Sequence, residues 1–247
     1  MRRRTRVCVI TASVALVACG PRADIPEVRA GIAGALSADD AASVLARTLA
    51  PILYTQRDEP FDLERVVAVV HPTQRVIAYH LLWRDDAHGA WVPFGKPTDQ
   101  EVVWIGYDAR GEAAELWTYW HATILHTDWR GKGQVAIDVQ WGKHGSMPRA
   151  MRTMDLPWTQ SLDAFYLLAW LGMPDLWLGN VVRPGPWCFC HGYRRYASFT
   201  QPLQTGSRIN VVVRSIDPRA ALIAVFGEAY ANKPHWPHTL ADSGGSR

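Results

Sequence analysis

The chain has 247 residues, 48% of them apolar, with 26 Lys+Arg against 23 Asp+Glu. Arg2, Arg3, Arg4 and Arg6 all lie in the first six residues, and without them the balance is 22 to 23. Nucleic acid is therefore not an implied partner, and the length supports one domain with a sizeable core and no internal repeat.

Behind those arginines, residues 7–18 run apolar and end Leu16-Val17-Ala18-Cys19-Gly20. A charged head followed by a short apolar stretch is the pattern of a secretory leader. Twelve apolar residues are too few to cross a hydrocarbon layer, which needs about 20. Leu-Val-Ala-Cys resembles a bacterial lipobox, which implies lipidation of Cys19, removal of residues 1–18 and a tether over 19–36. Gly20 after the cysteine resembles lipoproteins sorted to the outer membrane, so the expected address is the cell envelope, held to the membrane by lipid.

Ser37-Ala38-Asp39-Asp40 followed by Ala41, Val44, Leu45 and Leu49 predicts a capped amphipathic helix that Pro51 stops. Strands are predicted over 65–71 and 76–83, joined by a Pro72–Arg75 turn, and over 101–107, 114–121 and 135–141. Residues 161–171 read as a buried helix, and 208–216 with 221–228 as a second hairpin around Asp217-Pro218. Many short strands at hairpin spacing with a few inserted helices predict a mainly β fold, an antiparallel β-sandwich over 37–232, with 233–247 an exposed Pro-rich tail.

After the leader only Cys188 and Cys190 remain as cysteines. A strained disulfide, a buried reduced pair and a soft-metal site with His191 are all open for them. Asp99 and Glu101 stand two apart on one strand and so project from the same side. With the next turn centred near Arg110, Glu101 falls opposite Tyr119 and Asp99 opposite His121, placing Trp117 and Tyr119 on the same face as ligand-facing aromatics. Two carboxylates and one imidazole suit Ca²⁺, Mg²⁺ or Mn²⁺ as a cofactor. The same pair would serve as general acid and base, or be plain solvated charge. Simple hairpin pairing sends His144 to the far end of the sheet, unless the chain switches sheets. His126 falls in a loop.

Gly95-Lys96-Pro97-Thr98-Asp99-Gln100-Glu101 resembles a degenerate form of Gly-His-Arg-His-Asp-Trp-Glu, the heptapeptide of the NPP1-like necrosis-inducing proteins. A looser likeness to the Vps62-like group rests on Asp99-Gln100-Glu101, His121 or His126, Lys143-His144-Gly145-Ser146 and an opening Ala50–Tyr54 with Asp58-Glu59. The likeness spans residues 50–150. It implies a β-sandwich with a divalent cation in an acidic pocket that contacts sugar head groups. Only Asp99 and Glu101 match the metal set, since Lys96 and Thr98 stand where the family has histidines; the upstream acidic ligand that the resemblance implies would be Asp86, with His88 as a substitute, and the spacing does not fix which. The expected function is a membrane-tethered module binding a divalent cation and a glycan or lipid head group. A structural or assembly lipoprotein and a carboxylate-dependent envelope hydrolase are the alternatives.

Overall fold

A computed structural model describes residues 31–57, 59, 61–84, 99–149, 199–227, 233–238 and 240. The leader with Cys19, Asp86, His88, the 161–171 segment and the Cys188/Cys190 pair all lie outside the described residues.

Helix α1 (Ala41–Thr48) begins where the sequence places it. Asp40 is the N-cap, its Oδ1 accepting from the Ala42 amide at 2.8 Å. Among the described residues ten strands follow: β1 (Ile52–Thr55), β2 (Leu63–Val70), β3 (Val76–Trp83), β4 (Asp99–Tyr107), β5 (Ala113–Trp120), β6 (Thr123–Asp128), β7 (Ala136–Val139), β8 (Ser146–Pro148), β9 (Gln201–Gln204) and β10 (Ile209–Arg214). They form a six-stranded sheet in the order β10-β2-β3-β4-β5-β6 and a four-stranded sheet in the order β8-β7-β1-β9. The protein is thus mainly β, as predicted. Both sheets are mixed, however, because β2 pairs with β10, and β1 with β7, in parallel.

Leu53, Ile137 and Val139 from the smaller sheet pack with Val66, Ala68, Ile77, Tyr79, Val103 and Ile105 from the larger one. The reverse face of the larger sheet carries a second cluster, in which Val67, Val69, Trp104 and Trp117 meet Leu222, Val225 and Phe226. β3 is therefore covered on both faces, and all eight of its residues are buried. This is why it reads as a continuous apolar run rather than an alternation.

The covering element at the second face is helix α2 (Arg219–Phe226), where the sequence predicts a strand. Its buried residues Ala221, Leu222, Val225 and Phe226 repeat at helical spacing. A short run apolar all round looks like a buried strand until its neighbours are known. Nor is the C-terminal segment a free tail. Trp104 Nε1 donates to the His235 carbonyl at 2.8 Å, Trp236 Nε1 to the Ile216 carbonyl at 2.7 Å, and Trp236 meets His71 edge-on at 4.7 Å. No helix among the described residues is long and apolar enough to cross a membrane.

Candidate functional site

β3 and β4 pair antiparallel so that Trp83 lies opposite Asp99 and Leu81 opposite Glu101, which sets both carboxylates on the face turned toward the smaller sheet. The β4–β5 pairing departs from prediction. Tyr107 faces Ala113, but Gly106 faces Glu115 and Val103 faces Thr118, so Ala114 is an extra residue in a bulge. A one-residue slip exchanges faces. Trp117 and Tyr119 therefore pack with the cluster on the opposite side of the sheet from Glu101, although the Tyr119 ring centroid lies 4.6 Å from the Lys233 ammonium that pairs with Glu101. Trp117 is buried and stacks on His126 at 4.8 Å, so it is not presented to a ligand. His126 is on β6 rather than in a loop, paired with Glu115 at 3.2 Å.

The residue that meets Asp99 is His144, because the chain does switch sheets. It leaves β6, forms β7 beside β1 in the smaller sheet, and turns through 140–145 before β8, which packs beside β4 and β5. His144 Nδ1 lies 2.9 Å from Asp99 Oδ2 and its Nε2 lies 3.1 Å from Glu59 Oε1. Glu59 Oε2 accepts from the Gly142 amide at 2.9 Å, tying the loop after β1 to the turn that presents the imidazole. The His144 ring is fully buried and stacks on Trp83 with centroids 4.1 Å apart and planes at 5°. A ring bracketed by two carboxylates needs an N–H on both nitrogens, which makes it an imidazolium. Burial pulls its pKa down, but the charges and hydrogen bonds of Glu59 and Asp99 outweigh that and raise it to about 9. Burial likewise acts to raise Asp99, yet the His144 hydrogen bond and the nearby charges of His144, Lys233 and Lys143 hold it below the usual carboxylate range.

Glu101 is served by a different cation. Lys233 Nζ lies 3.1 Å from Glu101 Oε1 and 4.6 Å over the Tyr119 ring centroid. Burial pushes the Glu101 carboxyl up, to about 8, against the pull of Lys233. Burial acts to lower Lys233 in turn, and Glu101 with Asp99 more than offsets it, leaving the ammonium above its ordinary value. Glu101 Oε2 is buried and finds no hydrogen-bond partner among the described residues.

His121 stands outside the ion-pair centre, its Nε2 2.7 Å from Gln140 Oε1 at the turn between β5 and β6. Its pKa is lowered, chiefly by burial. Among the described residues no group of three or more His, Cys, Asp and Glu is arranged to hold a metal ion. Both His144 nitrogens already face carboxylates, and Lys233 stands on Glu101. As they stand, these donors do not fit a divalent cation.

Beside the centre opens a cavity of about 240 Å³, lined among others by Gln56, Arg57, Glu59, Phe61, Trp83 and Arg208. Gln56 Nε2 and Trp83 Nε1 are buried and find no hydrogen-bond partner among the described residues. Glu59, Trp83, His144 and Lys233 are the site members that the sequence reading did not assemble. The one local signal was Lys143-His144-Gly145-Ser146 after a strand, together with Glu59 in an acidic loop.

No family model matches the chain, and no curated protein does. Several solved structures align with about half of it. NLPPya in complex with mannosamine shares 13% identity over 49% of this chain and 73% of that one, with a TM-score of 0.33. NLPPya in complex with glucosamine shares 15% over the same fractions, also at 0.33. A structure described as a toxin fold as basis for microbial attack and plant defense shares 12% over 48% and 73%, at 0.34. At that level of agreement, the functional reading rests on this chain's own residues.

Proposed function

We propose that this protein is an envelope lipoprotein, anchored through Cys19, whose β-sandwich binds a polar head group, a glycan or lipid head group, in the cavity beside the Glu59–His144–Asp99 centre. The observation that carries the reading is the pair of orphaned donors, Gln56 Nε2 and Trp83 Nε1, on side chains that line a cavity of about 240 Å³. A buried N–H without a partner costs about 1–3 kcal/mol, and a ligand acceptor recovers it once a side-chain adjustment turns the donor from the wall into the cavity. Phe61 adds an aromatic face and Arg57 an exposed cation, which suits hydroxyl-rich or phosphorylated groups. The ion-pair centre holds Glu59 and Trp83 in place, so the cavity wall is preorganised.

Asp99 and Glu101 are each held by a cation of the chain, so carboxylate hydrolysis draws no support from the geometry. Titration of the full chain with monosaccharides, glucosamine and mannosamine among them, and with phosphorylated head groups checks the reading. Saturable shifts in the spectra of Gln56 and Trp83 that Gln56→Leu weakens are expected. The Cys19→Ala variant should leave the membrane fraction. No saturable ligand across the panel, or a ligand that Gln56→Leu leaves untouched, would sink the binding half. Retention of Cys19→Ala in the membrane would sink the anchor.

A further inference from the structure

We propose that the acidic centre is neutralised from inside the chain. The Lys233 ammonium, carried on the C-terminal segment 233–238, takes the position at Glu101 that an external cation would need, and the docked segment closes the centre to divalent metal.

Three carboxylates, Glu59, Asp99 and Glu101, reach this region with side chains 7%, 14% and 7% exposed. Carboxylates this deep need counter-charge. His144 serves Glu59 and Asp99 and has no nitrogen left. Glu101 receives its cation from 132 residues away. The ammonium is held by the Glu101 oxygen on one side and the Tyr119 ring on another, and its side chain is only 18% exposed.

The segment bearing it is fastened independently. The hydrogen bonds from Trp104 to the His235 carbonyl and from Trp236 to the Ile216 carbonyl fix the backbone within three residues of Lys233. The lysine is thus delivered to Glu101 rather than left to find it. An ammonium and a divalent ion cannot share one carboxylate oxygen at contact distance, because their repulsion in a poorly hydrated site is large. The orphaned Glu101 Oε2 marks where ligand capacity remains once the ammonium is withdrawn.

The test is calorimetric titration of the full chain with Ca²⁺ and with Mn²⁺ at mildly alkaline pH. The wild type should give no heat that depends on Glu101. Lys233→Met keeps the apolar stem over Tyr119 and removes the charge. It should bind at least one of the two ions at least about tenfold more tightly than wild type, and lose that gain when Glu101→Gln is added. Glu101-dependent binding by the wild type overturns the proposal, and so does a folded Lys233→Met that gains nothing. Should that variant not fold, acetylation of the wild type read by mass spectrometry decides. Lys233 should be modified more slowly than exposed Lys132, with millimolar Mn²⁺ leaving its rate unchanged. A Lys233 that becomes reactive when metal is added overturns the proposal.

Discussion

His144 has φ +54°, a left-handed conformation that a histidine adopts only under constraint. The constraints are on view. Its amide donates to the Gln140 carbonyl at 3.0 Å, its two nitrogens face Asp99 and Glu59, and Trp83 covers its face. Removing the imidazole leaves two carboxylates buried without their cation. His144→Ala is therefore expected to destabilise the fold by about 3–5 kcal/mol, read as a lower denaturant midpoint. A loss under about 1 kcal/mol would mean that the centre is wet and loosely held. Gly145 adds a steric reason for the tight turn. A Cβ there would stand 2.9 Å from Gln140 Oε1 and 2.9 Å from the Trp120 ring, within the contacts that seat the His121–Gln140 pair.

The hairpin between β5 and β6 shows why some elements escape sequence reading. Trp120 pairs with Thr123, so the loop is His121-Ala122 alone, with φ of +44° and +66°. Two-residue hairpin turns of this hand favour Asn-Gly, and a His-Ala pair carries no such signal. Ala122→Gly should accordingly stabilise the domain by about 0.5–1 kcal/mol, since glycine reaches that φ without a steric penalty, offset in part by its freer unfolded chain. A lowered denaturant midpoint would contradict this. The β2–β3 hairpin is the contrasting case. His71 Nδ1 accepts from the Thr73 and Gln74 amides at 3.2 and 2.9 Å, and the Pro72–Arg75 turn was legible from its residues. Turn chemistry at Asp108–Gly111 was legible too, but the Ala114 bulge was not. One extra small residue leaves no mark on the pattern, yet moves every later side chain of β5 to the other face.

At the scale of the molecule, the buried titratable groups bracket the pH at which the fold is most stable. His80 is fully buried, with neither nitrogen hydrogen-bonded among the described residues, and burial lowers it to about 3. A histidine depressed in the folded state favours folding above its unfolded value and withdraws that stability as pH falls below about 6.5. His144 is raised to about 9, so its contribution is complete below about 6.5 and is lost as pH climbs through 9. Glu101, raised from 4.5 to about 8, has the same sign over a lower window, its contribution complete below about 4.5 and lost as pH climbs through 8, since the folded state holds its proton longer than the unfolded chain does. Thermal unfolding should therefore show a broad maximum between about pH 4.5 and 6.5, where the opposite slopes of His80 and Glu101 offset each other, and a clear fall between pH 6.5 and 9, shallower in Glu101→Gln. A flat profile across that window would contradict the burial of these groups.

What the sequence by itself determined is local: the Asp40-capped helix, the runs that become β2 to β5, the turns at 72–75 and 108–111, the common face of Asp99 and Glu101, and hence a mainly β fold. Each follows from interactions within a few residues, where periodicity, capping and turn chemistry act. The tertiary structure decided that a short apolar run is helix α2 rather than a strand, because the face of the larger sheet was there to cover. It also decided which cation each carboxylate meets. His144 joins Glu59 across 85 residues and Lys233 joins Glu101 across 132, through a change of sheet and a C-terminal segment laid back over the fold. Such pairings are set by packing between distant elements, and no spacing along the chain encodes them.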